Sequence, residues 1–165
     1  MDAPRLVVVD TSAAVEALVA EADCHEGYVA LLGSIRRAKG SIAYSELLEP
    51  ELVEAAYTWD IRRQSPGGWR ALRRDQNAQR DRAIERTVLR AWRSLAGEQT
   101  SVVIPIRAVV DASVEYVTDT GLGSYDAVHL ATAHHLRAPI LTHDRFMIRV
   151  AHPAIPVITL REEAQ

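Results

Sequence analysis

Three aspartates occupy positions from which carboxylates could act together on one ion. Asp10 follows a short apolar run that predicts a strand, Asp144 lies just beyond another such run, and Asp126 lies in the first turn of a predicted helix. Ligands of open α/β sheets bind at the carboxyl edge of the strands, and carboxylates gathered there repel one another unless a cation lies between them. Oxygen ligands suit a hard ion such as Mg²⁺ or Mn²⁺, which can activate water and stabilise charge on a phosphate.

Each aspartate also has a purely structural interpretation. Asp10 precedes Thr11 and Ser12 and could simply cap the helix that follows. Asp126 could complement a helix dipole, and Asp144 could be an ordinary turn residue after a strand. The individual signals are weak, so it is their joint placement that favours a site.

Strands alternate with helices along the chain. Apolar runs predict strands over Leu6–Val9, Ser41–Tyr44, Val102–Ile104, Pro139–Thr142 and Pro156–Leu160. Periodic patterns predict helices over about 13–22, 25–38, 49–62, 69–95, 109–120 and 125–136, the last of them capped by Ser124. This order predicts an α/β fold with a mostly parallel central sheet flanked by helices, in one domain spanning residues 1–165.

The charge of the chain is distributed unevenly. Residues 60–95 contain ten arginines and four acidic residues, which gives +6 in a chain of net charge −3 and leaves −9 elsewhere. We interpret residues 62–100 as a helical basic arm within the domain, with Trp92 in an apolar seam. The arm could contact nucleic-acid phosphates, contact an acidic partner, or be a solvated helix. The candidate nucleic-acid-binding residues are Arg73, Arg74, Arg80, Arg86 and Arg90.

Composition predicts a soluble globular protein. Hydrophobic residues make up 48% of 165 residues, close to the globular average. Cys24 is the only cysteine, which excludes an internal disulfide and fits a reducing cytoplasm. The first residues lack the basic run and apolar stretch of a signal peptide, and no apolar run is long enough to cross a membrane. We therefore expect a cytoplasmic protein without a membrane partner.

Several stretches resemble the motifs of one family. Val7–Ala13 resembles the opening motif of PIN domains, Ser124–Ala133 closely resembles the most recognisable stretch of the family, and Ile140–Arg145 resembles its closing acidic motif. Ser45–Ala55 resembles the helix that supplies a family glutamate. The sequence thus resembles PIN-domain ribonucleases, and among them the VapC-like toxins of type II toxin–antitoxin pairs.

The resemblance implies a PIN-like fold and an acidic site that holds one or two Mg²⁺ or Mn²⁺ ions. Asp10, Asp126 and Asp144 carry over directly as metal ligands and catalytic residues, with a hydroxyl of Ser12 or Thr11 in support. Four glutamates compete for the remaining position, and the spacing from Ser45 to the Leu-Val-x-Ala that follows Glu51 favours that residue; its competitors are Glu46, Glu49 and Glu54. If Pro50 kinks a helix that starts at Ser45, this register shifts.

The same resemblance implies RNA phosphodiester cleavage by a metal-activated water. It also implies a VapB-like antitoxin as partner and leaves a homodimer open. A non-toxin RNA-processing nuclease and a non-catalytic PIN-like binding module are the alternatives, and the second would be expected to lack some of the acids. Haloacid-dehalogenase-like phosphotransferases need a second aspartate two positions after the first. That position is Ser12 here, which counts against this class of enzyme. His129, His134 and His135 lack the companions of a metal motif. His129 lies three residues after Asp126 and could point toward the site, but we expect it to be a packed or surface residue.

Overall fold

Five parallel strands form the sheet that organises the molecule. The computed structural model describes residues 4–64, 82–97, 100–151 and 155–160. Within them the strands are β1 (Leu6–Val9), β2 (Ser41–Ser45), β3 (Val102–Ile104), β4 (Ile140–Leu141) and β5 (Val157–Ile158). Their order across the sheet is β3-β2-β1-β4-β5, with every pairing parallel. The mostly parallel sheet flanked by helices that the sequence predicted is confirmed.

Helices cover both faces of the sheet. The described helices are α1 (Thr11–Leu18), α2 (His25–Arg37), α3 (Leu48–Gln64), α4 (Arg82–Ala96), α5 (Val110–Thr120), α6 (Ser124–Leu136) and α7 (Arg145–Val150). None of these helices is both long and apolar enough to cross a membrane.

The valines of β1 connect the two halves of the core. Val7 and Val9 face a cluster built with α1, α2 and α4, whereas Val8 faces a second cluster built with α6 and α7. All three side chains are fully buried, because successive side chains of a strand point to opposite faces and both faces are covered here. The central position of β1 places Asp10, the residue that follows it, in the middle of the carboxyl edge of the sheet.

The end of one helix, the cap of another and the existence of a third differ from the sequence predictions. The first helix ends at Leu18 rather than Ala22, because Val19 adopts an extended conformation (φ −94°, ψ 108°). Gly123, not Ser124, is the residue before α6, and no side chain caps that helix. The short helix α7 was not predicted; Asp144 caps it by accepting hydrogen bonds from the amides of its first turn.

Pro50 leaves α3 intact. The helix begins at Leu48, so Pro50 lies in its first turn, where backbone amides lack intrahelical partners in any case. The alternative in which Pro50 kinks a longer helix is therefore wrong, and Glu51 keeps its register on α3.

The basic arm is described only in part. Residues 65–81 lie outside the described residues, and with them Arg73, Arg74 and Arg80. Of the rest, residues 62–64 belong to α3, residues 98 and 99 also lie outside the described residues, and Arg82–Ala96 forms α4. In α4, Trp92 is fully buried and packs edge-to-face on Tyr44, with ring centroids 5.5 Å apart. The predicted place of Trp92 in an apolar seam is confirmed.

Candidate active site

One cleft at the carboxyl edge of the sheet collects the four acids that the sequence analysis singled out. Asp10, Glu51, Asp126 and Asp144 all line this opening of about 770 Å³. They arrive from four places: the end of β1, the first turn of α3, the first turn of α6, and the residue that precedes α7. The structure brings the four together, while their catalytic and metal-binding roles stay predictions.

Asp10 is the most firmly held of the four. It is 2% exposed, and its Oδ2 accepts hydrogen bonds from Ser12 Oγ at 2.5 Å, Ser12 N at 3.2 Å and Thr142 Oγ1 at 2.8 Å. The bond from Ser12 N also caps α1, so the structural role considered for Asp10 is real and coexists with its position in the cleft. Ser12, predicted as a supporting hydroxyl, orients this carboxylate.

Asp144 is held through one oxygen only. Its Oδ1 accepts hydrogen bonds from the amides of Phe146 and Met147, both at 2.8 Å. No donor of the described residues reaches its Oδ2. Capping α7 therefore fixes the carboxylate and leaves an acceptor for a cleft ligand.

Asp126 is the least satisfied acid. Within the described parts of the chain its carboxylate accepts no hydrogen bond, although it is partly buried. Burial, together with the negative charges of Asp10 and Asp144, raises the pKa of Asp126 from 3.8 to about 6, and the nearby His129 offsets part of this. A cation in the cleft would offset this burial and charge repulsion and would favour the ionised form of Asp126.

Glu51 is fixed by a buried histidine. His129 Nε2 donates to Glu51 Oε2 at 2.6 Å, and Thr11 Oγ1 donates to the same oxygen at 2.5 Å. The other ring nitrogen of His129 lies 3.2 Å from Ser45 Oγ. Burial lowers the pKa of His129, but the hydrogen bond to Glu51 and the charge of Asp10 outweigh it and raise the pKa above its usual value.

The competing glutamates have other partners. Glu46 Oε1 accepts from the amide of Ile106 at 2.9 Å, and Glu49 forms a two-pronged ion pair with Arg93 of α4, at 2.9 and 2.6 Å. Glu54 lines the cleft one helical turn beyond Glu51. Only Glu51 among these glutamates bonds to His129 and Thr11.

Two members of this arrangement were not among the predicted site residues. Thr142 was treated only as a strand residue, yet its hydroxyl bonds to Asp10. His129 was expected to be packed or at the surface, with an orientation toward the site as the alternative; it is fully buried and also bonds to Glu51. The signal for that alternative was its position one helical turn after Asp126, because both residues fall on the same side of α6.

The fit of this cleft to a divalent ion rests on its donor set. Every candidate ligand is a carboxylate, which suits Mg²⁺ or Mn²⁺. No three of these carboxylates bring oxygen atoms within 4.8 Å of one another in the described structure. An ion held here would therefore keep water molecules in part of its coordination shell, as Mg²⁺ usually does.

Comparison with family models decides which family this fold and cleft represent. The model described as "PIN domain" matches residues 7–153. The chain belongs to the PIN-domain family. PIN domains are nucleases, which generally use divalent metal ions. Comparison with curated proteins gives no match.

Solved structures show the same PIN-domain fold at low sequence identity. VapBC2 from Rickettsia felis, bound to a DNA fragment from its promoter, has a TM-score of 0.57 at 15% identity, covering 93% of this chain and 98% of that one. PAE2754 from Pyrobaculum aerophilum has a TM-score of 0.52 at 16% identity, covering 92% and 82%. FitAcB from Neisseria gonorrhoeae has a TM-score of 0.50 at 17% identity, covering 92% and 95%.

Proposed function

We propose that this PIN domain is a ribonuclease that depends on Mg²⁺ or Mn²⁺, with Asp10, Glu51, Asp126 and Asp144 as metal ligands. The observation that carries the proposal is the convergence of these acids on one cleft, where Asp126 is left without a hydrogen-bond donor from the described residues. When bound, the ion would activate a water molecule and stabilise charge on the phosphate under attack.

The chain's own residues set the geometry for this chemistry. Ser12 and Thr142 orient Asp10 through its Oδ2, so that Oδ1 remains for the cleft. His129 and Thr11 hold Glu51 through Oε2 in the same way. Each of these two carboxylates therefore presents one oxygen while the other is fastened, an arrangement that limits the reorganisation needed on binding.

Chelation tests the metal dependence directly. RNA cleavage should disappear in excess EDTA and return when Mg²⁺ or Mn²⁺ is restored, because no nitrogen or sulfur ligand is among the proposed four. Robust cleavage in excess chelator would contradict the mechanism. Metal-dependent binding without any cleavage would instead indicate a non-catalytic PIN-like module.

We further propose that the nuclease is the toxin of a toxin–antitoxin pair and acts in the cytoplasm. Support comes from the similarity in fold to a VapBC2 structure and to FitAcB. The partner would be a VapB-like antitoxin, from which an arginine could pair with the acids of the cleft. Co-purification with the product of the adjacent gene, and growth arrest on expression, are the expected results. An orphan locus without growth arrest would favour an RNA-processing nuclease.

RNA would be positioned by arginines of the basic arm. Arg86 and Arg90 are exposed on α4, as phosphate contacts require, whereas Arg73, Arg74 and Arg80 lie outside the described residues.

The homodimer also stays a prediction, to be checked by sedimentation of the purified chain.

A further inference from the structure

A second group of metal-ligand side chains lies beside the acidic cleft. Glu16 on α1, Cys24 at the start of α2 and His143 after β4 bring a carboxylate oxygen, a sulfur and a ring nitrogen within 4.8 Å of one another. All three residues are partly buried. We propose that Glu16, Cys24 and His143 form a Zn²⁺ site, separate from the acidic cleft, that fastens the loop carrying Asp144 to the α1–α2 region.

The ring of His143 is oriented as a metal ligand should be. Tyr28 Oη lies 3.2 Å from the carbonyl oxygen of Thr142, to which it can donate, and 3.1 Å from His143 Nδ1. In the tautomer in which Nδ1 donates to Tyr28, the Tyr28 proton goes to Thr142 and Nε2 is the ring atom that presents a lone pair to a metal beside Glu16. A hydrogen bond that fixes the tautomer from the far ring nitrogen is the usual support of a metal-bound histidine.

The separation between Glu16 and His143 leaves room for an ion. Glu16 Oε1 lies 3.9 Å from His143 Nε2, too far for a direct hydrogen bond and about half an ångström beyond the roughly 3.4 Å that separates two such ligands on one tetrahedral zinc, so binding requires only a small side-chain shift. The other carboxylate oxygen, Oε2, accepts from the amide of Cys24 at 3.2 Å. This bond holds the backbone of Cys24 against Glu16, while the Cys24 thiol donates to the carbonyl of Leu160 at 3.6 Å, a contact that metal binding would replace.

The donor set selects a different ion from that of the cleft. A thiolate, an imidazole and a carboxylate suit Zn²⁺, whereas Mg²⁺ prefers oxygen alone. Three protein ligands leave a fourth position for water. Binding would release the proton of the Cys24 thiol. Because the two donor sets prefer different ions, the two sites can be loaded separately, with Mg²⁺ in the cleft and Zn²⁺ at Glu16, Cys24 and His143.

A metal at this position would act on the geometry of the cleft. The amide of His143 donates to Ser12 Oγ at 2.8 Å, and Ser12 Oγ donates to Asp10. His143 is also the residue directly before Asp144. Zinc would thus immobilise His143, which is linked through Ser12 to Asp10 and directly precedes Asp144. The inference concerns the metal alone and does not depend on the proposed nuclease activity.

Cobalt gives this site a spectroscopic signature. We expect one equivalent of Co²⁺, added to the full chain in excess Mg²⁺, to produce a thiolate-to-cobalt charge-transfer band. Cys24 is the only cysteine of the chain, so the band can arise only there. It should be lost in Cys24→Ser and strongly reduced in Glu16→Gln and His143→Asn. It should persist in Asp126→Asn, which alters the cleft, and in His135→Asn, which alters an exposed histidine of α6.

Thermal unfolding provides the second measurement. Zn²⁺ in excess Mg²⁺ should raise the melting temperature of the parent and of Glu26→Gln, an exposed acid at the start of α2, but not of Cys24→Ser. Circular dichroism of the metal-free proteins establishes that each variant folds. Absence of the cobalt band in the folded parent would overturn the proposal without bearing on the nuclease. A band of undiminished strength in Glu16→Gln and His143→Asn would overturn it as well, because the thiol would then bind alone.

Discussion

The carboxylates of the cleft differ in how completely their oxygens are satisfied. Asp10 accepts hydrogen bonds from two hydroxyls and an amide, and Glu51 accepts from a histidine and a hydroxyl. Asp126 accepts none from the described parts of the chain. Substitution of Asp10 therefore disturbs a hydrogen-bond network as well as any metal site. Substitution of Asp126 disturbs the metal site and leaves that network intact.

Asp126→Asn should raise the melting temperature of the metal-free protein at neutral pH. The change removes a carboxylate whose pKa is raised to about 6 by burial, Asp10 and Asp144. It should also abolish stabilisation by Mn²⁺ and lower RNA cleavage at least about a hundredfold. Melting curves with and without Mn²⁺, beside a cleavage assay, check both effects. Asp119→Asn, an exposed acid of α5, is the control and should change neither.

The stabilisation by Asp126→Asn should depend on pH with a defined sign. Because folding raises the pKa of Asp126 from 3.8 to about 6, the folded parent binds this proton more tightly and loses stability as pH rises through that interval. The advantage of asparagine should therefore be full above about pH 6 and vanish below about pH 4. A metal-free difference independent of pH would contradict this electrostatic origin.

His129→Asn should weaken metal binding while leaving all four acids in place. Without the Nε2 donor at 2.6 Å, the Glu51 carboxylate keeps, among the described residues, only the hydroxyl of Thr11 as a hydrogen-bond partner. Loss of such a supporting hydrogen bond usually costs about ten- to a hundredfold in metal affinity. Cleavage measured against Mn²⁺ concentration should shift by this factor and recover at high Mn²⁺. His135→Asn is the matched control on the same helix; a loss that excess Mn²⁺ does not restore would assign His129 another role.

Sequence patterns reach some of these residues and not others. Asp10 and Asp144 could be predicted because strand ends of a parallel sheet share one edge. The pairing of His129 with Glu51 spans 78 residues, and no local pattern shows that α3 and α6 approach at those positions. The role of Thr142 was hidden for the same reason, since alternation along β4 does not reveal a partner on β1.

Helices α3 and α4 are joined by an ion pair between Glu49 and Arg93. The guanidinium donates through two nitrogens to the two carboxylate oxygens, the geometry that makes an arginine–carboxylate pair specific. Arg93 is thus engaged within the fold, whereas Arg86 and Arg90 are exposed on the same helix. Arg93 therefore has a structural role, whereas Arg86 and Arg90 remain candidates for binding RNA.

Substitutions of these arginines should give opposite phenotypes. Arg93→Gln should lower the free energy of unfolding by about 1 kcal/mol or less, since the pair is partly exposed. Arg86→Gln with Arg90→Gln should leave stability unchanged, weaken RNA binding, and flatten its salt dependence by roughly one unit of slope per lost phosphate contact. Chemical denaturation and binding at several salt concentrations distinguish the two. Unchanged affinity in the double variant would exclude these arginines from the RNA interface.

Element boundaries show where local rules suffice. Pro50 was correctly placed in the first turn of a helix because its missing amide costs nothing there. The short helix α7 escaped prediction because six residues give too little periodicity. It is fixed by the Asp144 cap and by burial of Met147 in the core, and the second of these requires knowledge of the tertiary fold.

The sheet brings the two ends of the described chain together. β1 lies between β2 and β4, so its neighbours come from residues 41–45 and 140–141. Alternation of strands and helices predicted parallel pairing, but it did not predict this order, because several right-handed arrangements of the same elements satisfy the connection rules. The order decides which acids meet, and it is fixed by long-range packing.

A chain shortened after Ala138 should fail to reach the native state. It lacks β4, which pairs with β1, and it lacks Thr142 and Asp144. Apolar surface of Val8 and Leu130, buried in one cluster with Ile140, would be left exposed. Amide hydrogen exchange should show little protection in β1, in contrast with the full chain. Native-like protection in the shortened chain would mean that β1 and β2 fold independently of β4.

The hydrogen bond from Thr142 to Asp10 has a consequence for protein synthesis. It joins residues 132 positions apart, so Asp10 leaves the ribosome long before Thr142, one of the side chains that orient it. A nascent chain carries Asp10 and Glu51 without an assembled cleft until Thr142 and Asp144 have also emerged. Translation interrupted before that point therefore yields fragments in which the proposed site is incomplete.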